Sequence, residues 1–187
     1  MEKEERMQKG KSEENLFYET MRKCKDVIDI VKTDLETDME DKIDFFLHLR
    51  TKNGSIKKLS VDVKSAYSKD PRFVNINHTS RDGSLGTLPT SSADLIAVRG
   101  LYDALGKLEN PIEVFYFIMK ENVWNTITPD MYHESSQDNS CWYSIPIYGK
   151  EFGTMSGEGL AVKRSFFIDM EGNKVESKFD QYNCILK

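Results

Sequence analysis

The stretch "MEDKIDFFLHLRTKNGSIKKLSVDVKSAYS", residues 39–68, decides how this chain is read. "IDFFLHLR", 43–50, is a strand-like run, and "TKNGS" carries the Asn-Gly pair that favours a tight hairpin turn. "IKKLSVDVKSA", 56–66, is the returning strand: Leu59, Val61 and Val63 share one face, and Ser60, Asp62 and Lys64 the other. Two carboxylates and an ammonium therefore interrupt segments that otherwise read as buried. Such charges are costly to bury unless they are paired or hold a metal.

The flanks supply a sheet around this hairpin. Phe17, Met21, Cys24, Ile28 and Val31 recur at helical spacing, and Ser12 followed by Glu13 and Glu14 resembles an N-cap with acids in the first turn. The pattern predicts an amphipathic helix over 12–33 after a frayed tail, 1–11. Residues 67–92 are polar and hold Pro71, Gly83, Gly86 and Pro89, with room for a short strand at "RFVNIN". "ADLIAV", 93–98, and "IEVFYFIMK", 112–120, are nearly continuous apolar runs of the kind found centrally in a sheet covered on both faces. "ENVWNTIT" is expected to be a short helix, and "AVKRSFFIDMEGNKVESKF" a final hairpin about Gly172.

Composition bounds the class. The chain has 187 residues, 39% hydrophobic and 30% charged, which suits one domain over 12–187, with 127–187 an extension of unassigned role. The net charge of −5 argues against phosphate-backbone binding by bulk charge, although a local basic cleft fits within it. Cys24, Cys141 and Cys184 form no CxxC pair, which disfavours zinc and suits free, buried thiols in a reducing cytoplasm. No secretory leader is expected at the N-terminus, and no apolar run approaches the roughly 18 residues of a membrane span.

The hairpin supports a specific chemistry. An acid opening one strand and an acid-x-Lys triplet ending its partner converge at one end of a sheet. Asp44 and Asp62 would offer hard oxygen ligands to Mg²⁺ (or Mn²⁺), with the main-chain carbonyl of Val63 as a third. Lys64 would orient or help deprotonate a water attacking phosphorus, while the metal polarises the phosphoryl oxygen. The bland alternative is a solvated hairpin face with a cross-strand ion pair, worth about 0–1 kcal/mol.

On "DKIDFF" with Asp44, the hairpin, and "VDVKS" with Asp62 and Lys64, the chain resembles the PD-(D/E)xK nuclease superfamily. The stretch from "DVKS" to "SADLIAV" is similar to nuclease-like proteins of bacteriophage. The chain departs from the pattern in having Ile43 where a Pro often stands and Asp62 where Glu is commoner. The resemblance spans about residues 12–126. It implies an α/β (α+β) fold with a restriction-endonuclease-like αβββαβ core, a mixed sheet flanked by helices. It further implies DNA as substrate, action in a bacterial cytoplasm, and a Glu on the first helix that supports a second ion or orients Lys64. Helical phase favours Glu14 for that role, with Glu13 second.

Lys57, Lys58, Lys69, Arg72, Arg81 and Arg99, with Tyr67 and Phe73, would line a phosphate-tracking groove. A homodimer suits a site that cuts one strand. The competing function is a nuclease fold whose site has decayed, kept as a protein-binding or inhibitor module. The acidic net charge and aromatic-rich final third favour that alternative.

Overall fold

The structure is a computed structural model that describes residues 3–51, 54–64, 73–102, 112–121, 127, 129–146 and 166–175. Its first helix, α1, spans Lys3–Lys23, so it starts within the expected tail and stops ten residues before the expected end at 33. Phe17, Met21 and Cys24 are buried as their spacing predicts, but Ile28 and Val31 are each 44% exposed. The reason is local. The β-branched run in "VIDIV" loses side-chain freedom in a helix and packs better on a pleated surface. The chain turns after Lys23, with the Cys24 N–H on Met21 O and the Val27 N–H on Cys24 O, and enters β1, Val27–Lys32.

Asp34 caps the short helix α2, Leu35–Asp41, accepting from the Thr37 N–H at 2.8 Å. The expected hairpin follows as β2, Phe45–Arg50, and β3, Ile56–Lys64, paired from Phe45↔Val61 to Arg50↔Ile56. The next strand, β4, Phe73–Thr79, leaves this sheet, and a single helical turn, α3, Thr87–Thr90, leads back to it. Gly86 lets that return pass close over β4, since a Cβ there would sit 2.7 Å from Asn77 O. The returning strand, β5, Leu95–Tyr102, lies parallel to β3, and β6, Ile112–Met119, is antiparallel to β5.

A 3₁₀ turn, Pro129–Met131, precedes β7, Tyr132–Glu134, and β8, Cys141–Pro146. The last pair is β9, Phe166–Asp169, and β10, Lys174–Val175, which is the hairpin expected about Gly172. Gly172 has φ +81°, and a Cβ there would stand 2.7 Å from Cys24 N, so this turn fits beneath the end of α1 only as glycine. The large mixed sheet has the order β1-β2-β3-β5-β6-β9-β10, and β4-β8-β7 forms a second sheet.

The large sheet is covered on both faces, which makes the molecule a mixed α+β structure. On one face Phe17 and Met21 of α1 pack on Phe45, Leu47, Val61, Leu95, Phe115 and Phe117. On the other, Ile76 of β4 and Leu88 of α3 pack on Ile96, Val98, Val114, Tyr116 and Ile118. The apolar runs 93–98 and 112–120 are central because both sets of alternating side chains are buried. The helix expected over 121–128 falls largely outside the described residues, as does Cys184; Cys24 is buried and Cys141 half-buried. Among the described residues no helix is long and apolar enough to cross a membrane.

Candidate metal-binding active site

The ends of β2 and β3 bring the three key residues together. Asp44 is pinned by its backbone: its N–H donates to Val61 O at 2.9 Å, and its carbonyl accepts from the Thr33 N–H and hydroxyl, each at 3.0 Å. Its carboxylate, in a residue only 8% exposed, accepts from the Val63 N–H at 2.6 Å through Oδ2. Asp62 projects opposite to Val61 and Val63 and is 1% exposed. Its Oδ1 pairs with Lys64 Nζ at 2.6 Å, and its Oδ2 is buried with no hydrogen-bond partner among the described residues. Lys64, whose side chain is 36% exposed, is the member of the group open to solvent.

Burial sets the electrostatics. It pushes the Asp44 carboxyl up to about 7 against the Val63 hydrogen bond and the Lys64 charge, with Asp62 and Glu14 adding repulsion. Asp62 is likewise raised by burial, opposed by the Lys64 ammonium and the nearby Ser91 hydroxyl, while Asp38 of α2 adds to the rise. The site thus holds two carboxylates whose charged forms are costly and one lysine, Lys64, in direct contact with Asp62.

Glu14 stands beside this pair rather than within it. It ion-pairs with Lys32 of β1 at 2.8 Å, and its charge reaches Asp44. Glu13 goes elsewhere, to Arg99 at 3.0 Å. Val63 enters the site through its N–H. Of the basic residues expected to form a groove, Lys58 shares the face of Asp62 and lies over the Phe46 ring at 3.8 Å from its centroid. Strand alternation puts Lys57 on the opposite face. Arg81 is paired with Asp138 at 3.2 Å, and Arg99 is held by Glu13 and Glu113. Lys69, Arg72, Tyr67 and the Phe73 side chain lie outside the described residues.

Four residues near the site were not singled out from sequence: Lys32, Asp38, Ser91 and Lys120. The helical spacing over 12–33 hides Lys32, which ends β1, and Asp38 and Ser91 are placed by tertiary contacts alone. Lys120 did carry a signal, because it sets a charge directly after an apolar central strand. Among the described residues no group of three His, Cys, Asp or Glu side chains is arranged to hold a metal. The two carboxylates still fit a hard dication. Asp62 has a buried, unpartnered oxygen, Asp44 has Oδ1 beyond its bond to Val63, and both donors are of the type Mg²⁺ prefers. No protein-family model, curated protein or solved structure matches this chain.

Proposed function

We propose that this chain is a metal-dependent nuclease that hydrolyses phosphodiester bonds in DNA, with Asp44 and Asp62 holding Mg²⁺ or Mn²⁺. The observation that carries the reading is the meeting of two buried carboxylates, Asp44 and Asp62, at one sheet end, with Asp62 Oδ2 making no hydrogen bond of ordinary geometry among the described residues. An orphaned acceptor of this kind costs about 1–3 kcal/mol, more when charged, and a dication would remove that cost. The order α1, antiparallel β1–β2–β3, then β5 parallel to β3 supports a restriction-endonuclease-like core.

Each residue has a distinct task. Asp62 and Asp44 present ligand oxygens at one sheet end. The N–H and C=O of a strand residue point to one edge, so the Val63 carbonyl faces the side on which its N–H meets Asp44. Lys64, anchored on Asp62 and half-exposed, reaches the solvent side of the carboxylates, where it orients the attacking water. Glu14 acts through Lys32 and its repulsion on Asp44. When bound, the dication supplies polarisation of the phosphoryl oxygen and a lowered pKa for water.

The test is cleavage of supercoiled plasmid and single-stranded DNA in Mg²⁺, Mn²⁺ or EDTA, beside Asp62→Ala and Lys64→Ala. Metal-dependent cutting that both substitutions abolish supports the reading. A folded wild type that cuts neither substrate and binds no metal by calorimetry refutes it. A second reading, a decayed nuclease fold serving as a protein-binding module, is favoured by the internal partners each carboxylate already has, the Val63 N–H and Lys64. That reading requires the negative outcome.

A further inference from the structure

The registers Asp62↔Ile96 and Ile96↔Ile118 put Asp62 and Ile118 in one row across three strands. Two strand spacings separate them, roughly 10 Å. Lys120 is the first residue past β6, two after Ile118, and its N–H donates to Asp94 O at 3.0 Å. The even-numbered side chains of β6 (Val114, Tyr116 and Ile118) lie on the Ile96 face of the sheet, the face that also carries Asp62. A lysine stem is long enough to bring its ammonium from Lys120 towards Asp62 across Asp94 and Ile96.

Two observations show that this ammonium is not an ordinary surface charge. The residue is half-buried, and Lys120 is in none of the ion pairs among the described residues. Burial holds its pKa below the usual lysine value, and Asp62 is the carboxylate that acts against that fall. A partly desolvated cation set near, but not on, a buried carboxylate is suited to an anion that enters from solvent.

We propose that Lys120 is a phosphate-anchoring residue of this site: it and Lys64 flank the Asp62 carboxylate, and the two ammonium groups take a backbone phosphate of the nucleic acid. The ligand follows from the nuclease reading; the anchoring itself is separable from cleavage. Lys120 positions the substrate and takes no part in proton transfer or metal ligation. Its loss is therefore expected to act on KM more than on kcat.

The experiment has two arms. In the first, fluorescence anisotropy follows binding of a labelled DNA duplex over a range of salt with Ca²⁺ in place of Mg²⁺, for wild type, Lys120→Gln and Lys120→Arg. Lys120→Gln is expected to raise Kd about tenfold and to lower the slope of log Kd against log salt by about one, the loss of one phosphate contact. Lys120→Arg should restore most of both. The second arm measures plasmid cleavage by the same proteins in Mg²⁺, with thermal denaturation as a check on folding.

If wild type cuts DNA while Lys120→Gln matches it in Kd, salt slope and KM, the anchor is refuted and the nuclease reading stands. If Lys120→Gln weakens binding as expected while wild type never cuts, catalysis is refuted and the anchor stands. A wild type that binds no duplex refutes both. Should Lys120→Gln melt early, Lys120→Met, which keeps most of the stem and drops the charge, decides: weakened binding with a lower salt slope in a folded protein supports the anchor, and wild-type affinity and slope overturn it.

Discussion

Two ion pairs on opposite faces of the large sheet look alike and differ in kind. At one, Asp62 pairs with Lys64; at the other, Glu13 of α1 pairs with Arg99 of β5. Each carboxylate has a second oxygen that is buried and unpartnered among the described residues. The cations differ. Arg99 binds two carboxylates, Glu13 at 3.0 Å and Glu113 at 2.6 Å, and so ties α1 to two neighbouring strands. Lys64 binds one, and around it stand Asp44, Asp38 and Glu14, with Lys32 taken up by Glu14. The first cluster sets one arginine between a buried and a half-exposed carboxylate; the second sets two buried carboxylates, Asp44 and Asp62, side by side at the end of the sheet. A buried carboxylate by itself therefore identifies nothing, and a second buried carboxylate beside it separates a candidate site from a structural tie.

The largest effect that could break this comparison is on activity. Asp62→Asn keeps the size of the side chain and removes the charge, and it is expected to lower DNA cleavage roughly 10⁴-fold or more. Glu13→Gln, the equivalent change at the other cluster, should leave cleavage within about twofold. Rates measured side by side on one plasmid decide it, and equal losses in both variants would end the distinction.

Next in size is a dependence on pH. Asp44 has a folded-state pKa of about 7 against an ordinary 3.8, so the folded state holds a proton that the unfolded state has lost between those values. Stability in EDTA is therefore expected to be highest near pH 4 with respect to this group, to fall as pH rises towards 7, and then to level off. The full span corresponds to about 4 kcal/mol as an upper bound. Asp44→Asn should flatten this part of the profile, since its amide oxygen can still accept from the Val63 N–H. Added Mg²⁺ should offset the fall in wild type and do nothing for the variant. Denaturant melts from pH 4.5 to 8 with an unchanged slope in Asp44→Asn would contradict this.

Arg99→Met sharpens the contrast from the structural side. It strands the largely buried Glu13, and because Arg99 is itself partly exposed the expected loss is about 1–2 kcal/mol by chemical denaturation at pH 7. Lys64→Met should cost less, because Asp62 already lies high in pKa and can take up a proton when its partner goes. A larger loss for Lys64→Met than for Arg99→Met would reverse the assignment of the two clusters.

Much of the candidate site was legible from sequence because it lies on one hairpin. The Asn-Gly turn and the alternation of Leu59, Val61 and Val63 fix which side chains share a face. Asp44, Asp62 and Lys64 follow from that register. The central strands were legible for a similar reason, since an apolar run buried on both sides leaves no helical period. Strand β1 was hidden because Ile28 and Val31 continue the spacing of Phe17, Met21 and Cys24 by coincidence. The β-branched density of "VIDIV" was the contrary signal. Lys120, Ser91 and Asp38 could not be read as neighbours of Asp62, because strand order and the parallel β3–β5 pairing decide that proximity.

The smallest expected effect concerns how β3 is held while its neighbours carry charge. Ser60 donates to Asp94 Oδ2 from both its N–H and its hydroxyl at 2.9 Å, and its hydroxyl accepts from the Asp94 N–H, also at 2.9 Å. This closed exchange joins β3 to the residue before β5, two positions from Asp62, and the Asp94 carbonyl in turn accepts from the Lys120 N–H. Ser60→Ala removes the hydroxyl and leaves the backbone bond, for an expected loss of about 1 kcal/mol. If Ser60 serves only to lock the strands, cleavage should fall no further than folding does, and Asp62→Asn should have the same effect in the Ser60→Ala background. If the clamp also sets the height of Asp62, the two substitutions will couple, and a double-mutant cycle on cleavage rate reads that coupling directly. At the other cluster Arg99 is shared by Glu13 and Glu113, so Glu13→Gln is expected to couple to Glu113→Gln in stability and not in cleavage rate.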